Sequence, residues 1–335
     1  MNSKHRGAGL VVLALATLAA CAAPVPTARA PRPPAAEPAN SPPLDARPAG
    51  RVISVGTGPE GVVADSTTHQ AAVGVRQPDR LVLLDDRTGK IHARVPLPGH
   101  LRHLQLAAAG GPVLVPDEDS GALLTVALPG GAVISRVHTG KSPHDATAAG
   151  NGAIFVANEA GHSVAVVRKR RVVHTFTDAT QPAGLAAVGN LVGLVDVRQD
   201  NLHIYDAAKL TLLTRLPAGD GPTHVVADRR GHLAVTDTRG NAVLLYQLTP
   251  NPQRIGRLSL PGKPYGIAYD PVRDRLWVTL TASNQVVGID ESTPKPRVVA
   301  RFHTVRQPNT VAVDSATGRL FVTGTHDGVL QLIDP

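Results

Sequence analysis

A single cysteine in 335 residues excludes an intramolecular disulfide, a paired-cysteine metal or redox site and a CxxCH haem attachment. Aromatic residues make up only 3%. The core must therefore be built from Val, Leu, Ala and Ile, and a groove that stacks nucleic-acid bases is poorly supplied. No GxSxG, HExxH, P-loop or GxGxxG run stands in a usable context. No cofactor is implied, and no metal site is assigned. Acidic residues are eight fewer than basic ones. That excess favours anionic partners such as phospholipid head groups or acidic wall polymers. A basic surface with no dedicated partner has the same composition.

The chain begins with Lys4, His5 and Arg6, followed by an apolar run from Leu10 to Leu18. This is the build of a secretory signal, too short to span a bilayer comfortably. The run ends in Leu18-Ala19-Ala20-Cys21, which resembles a bacterial lipobox, and the only cysteine of the protein sits where that motif requires it. The resemblance implies a signal peptide over 1–20, lipidation of Cys21 and extracytoplasmic anchoring to the cell membrane. Two or more acyl chains give the stable attachment that one does not. Residues 22–50 contain many prolines and almost no large apolar side chains. They cannot form a core, and with Cys21 they are expected to be a stiff, extended, solvated tether over 21–50.

From residue 51 the chain repeats. The stretches TGPEGVVAD, GHLRHLQLA, KSPHDATAA, TQPAGLAAV, DGPTHVVAD, GKPYGIAYD and RQPNTVAVD align. Six have proline third, at Pro59, Pro143, Pro182, Pro222, Pro264 and Pro308, and Leu101 replaces it in the second. Each anchor leads into a short apolar strand, a polar turn, a second strand such as HLAVTD or RLWVTL, and a third such as NLHIYD or QVVGID. A fourth strand precedes the next anchor. Four strands per repeat of about forty residues make one blade of a β-propeller, and seven repeats predict an all-β, seven-bladed ring over 51–335. The last repeat stops after its third strand, and an orphan strand, RVISVG at 51–56, precedes the first anchor. That strand is expected to complete the last blade and remove an exposed edge.

At these residues the sequence resembles the YVTN-repeat, YncE-like β-propellers of bacteria. The resemblance rests on the proline anchors, Val156-Ala157-Asn158, Val235-Thr236-Asp237, Val278-Thr279, Val322-Thr323, and the acids Asp206, Asp290 and Asp334. It implies a seven-bladed ring used outside the cytoplasm.

Recurring acids at strand ends, such as Asp65, Asp228, Asp270 and Asp314, suit turn caps. Trp277 and Phe321, in second strands, suit packing between blades. The residues just after the anchors should form a polar channel mouth: Glu60, Arg102, His103, His144, Asp145, His224, Tyr265 and Asn309. Loops after the second strands add a secondary rim of Arg76, Asp117, Glu118, Asn158, Arg198, Asp237 and His326. The three histidines come from different blades and are expected to surround the mouth rather than meet. The reading is a binding module at the cell envelope, working through its channel face on a small molecule, an anionic wall polymer or an envelope protein. Its rivals are a lactonase-like hydrolase at the channel, with Glu60 or His144 as base, and a docking platform for envelope proteins.

Overall fold

The computed structural model describes Met1, Asn2, Gly7 and residues 33–293 and 295–335. The chain divides into two units, Met1–Pro33 and Pro34–Pro335, and every strand lies in the second. Cys21 and the apolar run before it lie outside the described residues. Among the described residues, no helix is long and apolar enough to cross a membrane.

The strands form seven four-stranded antiparallel sheets. Six are continuous in sequence, over 62–96, 105–138, 143–176, 182–217, 222–259 and 264–303. These are blades one to six. Blade seven combines the three strands between Pro308 and Ile333 with the strand Arg51–Ser54, which pairs with Val329–Ile333 in the register Arg51↔Leu332 to Ser54↔Val329. The orphan strand thus closes the ring, as expected.

Why the anchors work is visible in the inner strands. Pro143, Pro182, Pro222, Pro264 and Pro308 each open an inner strand, the position in a strand where a missing N–H does least harm. Blade two, which lacks the proline, has an inner strand of only two residues, Gln105–Leu106. Its anchor is held instead by Leu101, 3% exposed, which lies against Gly74. A Cβ on Gly74 would collide with the Leu101 side chain, so this glycine is required by close approach.

Apolar side chains fill the seams between neighbouring blades. Trp277 of blade six packs with Val311, Leu320 and Val322 of blade seven. Phe321 of blade seven joins Val62, Val73 and Val82 of blade one. The turn acids behave as their spacing suggests. Asp65 accepts from the Thr68 N–H (2.9 Å), Asp206 from Ala208 (2.8 Å), Asp290 from Ser292 (2.9 Å) and Asp228 from Arg230 (2.8 Å). Asp334 departs from the set. It pairs with Arg319 at 2.6 Å.

The expected tether differs most. Residues 34–42 lie across the channel mouth, and Ala49 is bonded to blades six and seven through His303 (2.9 Å) and Gln331 (2.8 Å). Ser41 is 4% exposed. The composition argument failed because it counted apolar side chains, whereas this segment is held largely through its backbone.

Candidate functional site

Two kinds of polar stitch join the inner strands around the channel. In blades five, six and seven the threonine of the Val-Thr pair bridges to the next blade. Thr236 donates to the Tyr265 carbonyl (2.9 Å), Thr279 to that of Asn309 (3.1 Å) and Thr323 to that of Glu60 (3.2 Å). In the second strands of blades two, three and four, Pro116, Ala157 and Val195 stand where that threonine would be. Here a buried carboxylate takes over. Asp145 accepts from the Leu185 N–H (2.8 Å) of blade four, from the Ala146 N–H (2.8 Å) and from the Gln105 amide (3.0 Å) of blade two. Gln105 also donates to the Leu185 carbonyl at 2.7 Å. Burial pushes Asp145 up to about 7 against the pull of these donors. Its oxygens are taken by the scaffold, and no hydrogen bond joins it to His144. The adjacent His144 and Asp145 are therefore not a catalytic dyad.

The histidines meet, contrary to expectation. The ring of His103 lies 4.6 Å from that of His144 and 4.5 Å from that of His224, and His224 lies 4.5 Å from Tyr265. Inner strands converge on the axis, so side chains from blades two, three, five and six reach one another across it. Burial, reinforced by the other imidazoles and the Arg102 charge, holds His103 and His144 far below the usual histidine value. Burial brings His224 to about 3. All three are neutral near pH 7, each with one N–H donor and one acceptor nitrogen. Among the described residues, neither nitrogen of His224 has a hydrogen-bond partner. The Tyr265 carbonyl acts on it only from outside bonding geometry. Burial also raises the Tyr265 phenol far above its usual value.

Above this layer Arg102 lies among carboxylates. Its Nε is 3.0 Å from Glu118, whose second oxygen is 2.6 Å from His100 Nε2. Glu60 pairs with Arg76 at 2.7 Å, and burial raises its pKa despite the two arginines. Glu159 accepts from Gln181 at 2.7 Å, and its other oxygen is 4.0 Å from His144 Nε2. Glu118, His144 and Glu159 offer donor atoms within 4.8 Å of one another. A divalent cation among them would have to displace Arg102 and His100, so the set fits a metal poorly. Glu118, placed on the secondary rim by its repeat position, thus reaches Arg102 and His100 at the mouth.

The rest of the expected set is divided. Asn309 is buried, and its carbonyl serves the Thr279 stitch. On the secondary rim, Asp117, Asn158 and Asp237 are buried caps that hold the loop entering their blade. Asp117 accepts from Gly99 (2.9 Å), Asn158 donates to Thr139 (2.9 Å), and Asp237 accepts from Gly221 (2.9 Å). Sequence position alone could not separate such caps from ligand contacts. Arg198 is tied through its N–H to Asp196 (3.1 Å). His326 is exposed, between Asp327 (2.6 Å) and Arg306 (2.9 Å).

Two spaces flank the histidine layer. On the mouth side Ala35, Ala36 and Glu37 cover Arg102, His144 and Tyr265, leaving only about 20 Å³. Beyond the layer a cavity of about 420 Å³ runs along the inner strands, past Ala64, Leu106, Ala148, Ala187, Ala227 and Val313. His103, His224 and Asp145 line it as well.

No family model matches the sequence, and no curated protein matches it. Solved structures do match in fold. A chain of Kuenenia stuttgartiensis hydrazine synthase superposes with a TM-score of 0.72 at 16% identity, covering 83% of this chain and 96% of that one. Virginiamycin B lyase from Staphylococcus aureus gives 0.70 at 14%, covering 84% and 99%. A chain of the mitotic checkpoint complex gives 0.73 at 11%, covering 92% and 99%. The chain is a seven-bladed β-propeller. At these identities the likeness concerns the fold alone, since a propeller hosts many unrelated functions.

Proposed function

We propose that this propeller is a binding module that takes a small molecule in its central channel. The observation that carries this reading is the cavity beyond the histidine layer. Its volume lies in the range of ligand pockets, and its lining mixes Ala, Val and Leu with polar side chains, among them His103, Asp145, Thr147 and His224. His224 has two unpartnered nitrogens, and an unmade hydrogen bond on a buried polar group costs about 1–3 kcal/mol. Such a group suits a polar atom of a bound ligand. The hydrolase reading has less support, because Asp145 is committed to the scaffold and the histidines are held as weak bases.

We infer further that the module belongs with the YVTN-repeat, YncE-like proteins and works outside the cytoplasm. The support is the proline-anchored repeat and Cys21 at the end of a charged-then-apolar leader. Lipidation of Cys21 would hold the ring at the cell membrane, where small molecules of the envelope are its ligands.

A thermal-shift screen of the full-length protein against envelope metabolites, lactones and small amphiphiles tests the channel, since a ligand that binds only the folded form stabilises it by mass action. A stabilising compound should lose its effect when Ala148 and Ala187 are both enlarged to Phe in a variant that still melts cooperatively. A shift unaffected by that filling would place the ligand elsewhere and overturn the channel assignment.

A further inference from the structure

The loops of blades five, six and seven at the mouth hold residues 34–42 in a way the ring itself does not need. Gln307 uses both ends of its amide on this segment. Its Nε2 donates to the Ala39 carbonyl (2.8 Å), and its Oε1 accepts the Ser41 N–H (2.9 Å). The side-chain amide thereby reads an extended backbone as a neighbouring strand would. Thr281 accepts the Ala39 N–H (3.0 Å), and its carbonyl accepts the Ser41 hydroxyl. Asn284 donates to the Pro42 carbonyl (2.9 Å), and Arg239 donates to that of Pro34.

Comparison within the ring shows that these groups are dedicated. Thr238 and Thr325 stand in other blades where Thr281 stands in blade six, and their hydroxyls bond to Pro264 and Pro59 within the scaffold. Thr281 departs from them: it donates to Lys263, just before its own blade's anchor (3.2 Å), and accepts from Ala39. Gln181, which precedes its proline anchor as Gln307 does, reaches Glu159 of the scaffold. With residues 34–42 in place, Thr281 and Asn284 are 0% and 2% exposed. Asn284 also accepts the Gln307 N–H (3.1 Å) and so fixes the reading residue.

We infer that the channel mouth is a recognition groove for extended, Pro/Ala-rich polypeptide, occupied in cis by residues 34–42, and that the same kind of segment from another chain competes for it. The chemistry selects such a partner. Contacts to backbone carbonyls and N–H groups suit a chain with no internal hydrogen bonds, and prolines such as Pro38 and Pro42 stiffen it before binding. Ser41 is buried with its hydroxyl bonded, so only a small polar side chain fits there. Ala36 passes so close to Gly221 that a Cβ on that glycine would approach the Ala36 Cβ to 2.9 Å. Small residues are demanded on both sides. The inference rests on the mouth contacts and stands whether or not the channel beyond binds a ligand.

The test uses the full chain with residues 34–42 replaced by Gly/Ser of equal length, and a fluorescent peptide with the sequence of residues 34–43. Polarisation should show the peptide binding this chain and not the native one at the same concentration. Adding Gln307→Ala should weaken binding about tenfold, the scale of a lost pair of hydrogen bonds, and a peptide carrying Ser41→Leu should fail. Binding to neither chain, equal binding to both, or indifference to Gln307→Ala would overturn the inference. If the replaced chain does not fold, hydrogen exchange on the native chain decides. Gln307→Ala should speed exchange of the Ser41 amide about tenfold and leave the Leu185 amide unchanged, and an unchanged Ser41 rate would refute the groove.

Discussion

Asp145→Asn separates the two forces that act on the carboxylate joining blades two, three and four. Burial favours the neutral acid and raises its pKa from 3.8 to about 7. The Leu185, Ala146 and Gln105 donors favour the anion. If burial wins, the folded state holds the proton more tightly than the unfolded chain. The stabilisation is then complete below about pH 4, declines as pH rises to 7, and is gone above that. At about 1.4 kcal/mol for each unit of pKa, the native protein should lose about 3 kcal/mol of stability from this group between pH 4.5 and 8. Asparagine cannot ionise and escapes that loss. Its NH₂ instead faces one of the N–H donors, at a cost of about 1–3 kcal/mol at any pH. Urea unfolding at the two pH values should show the variant weaker at pH 4.5 and level with or above the native protein at pH 8. A gap of the same size at both would show that the donors keep Asp145 ionised, and the reasoning would fail.

Three further outcomes follow from particular residues. Deleting residues 51–56 should cost several kcal/mol in urea unfolding and cause association through the bared edge, because Val55 and Ile53 pack into the blade-one seam; native stability in that variant would contradict closure by this strand. His224→Leu should leave stability unchanged or raise it by about 1–2 kcal/mol, since it removes two unpartnered buried nitrogens; a loss above about 2 kcal/mol in thermal unfolding would make this histidine a structural element. Cys21→Ser should shift the protein from the membrane fraction to soluble material or leave it as precursor on cell fractionation, and detergent-dependent membrane association of a correctly cleaved variant would exclude lipidation.

Much of the fold was legible because most blades reuse parts of one physical solution. A proline opens the inner strand in blades three to seven, acids cap turns, and in blades five to seven a Val-Thr pair reaches the next blade. The spacing of Pro143, Pro182 and Pro222 was enough to count blades, and the orphan strand at 51–56 was enough to close the ring. The site was legible only in part. Repeat position placed His103, His144 and His224 on one rim, but their contact depends on how narrow the channel is, which periodicity does not encode. Asp145 stood beside His144 in sequence, yet its partners are in blades two and four. Residues 34–42 were misjudged for a different reason. Their fixation comes from Gln307, Thr281 and Asn284, more than two hundred residues away, through backbone bonds that leave no hydrophobic pattern.

Amide hydrogen exchange of the full-length protein, resolved at Ala39 and Ser41, tests most directly whether the mouth is closed by the chain's own segment. Both N–H groups are bonded to the ring and should exchange far more slowly than an unstructured segment of the same sequence. Exchange of both at the rate of a free peptide would contradict a covered mouth.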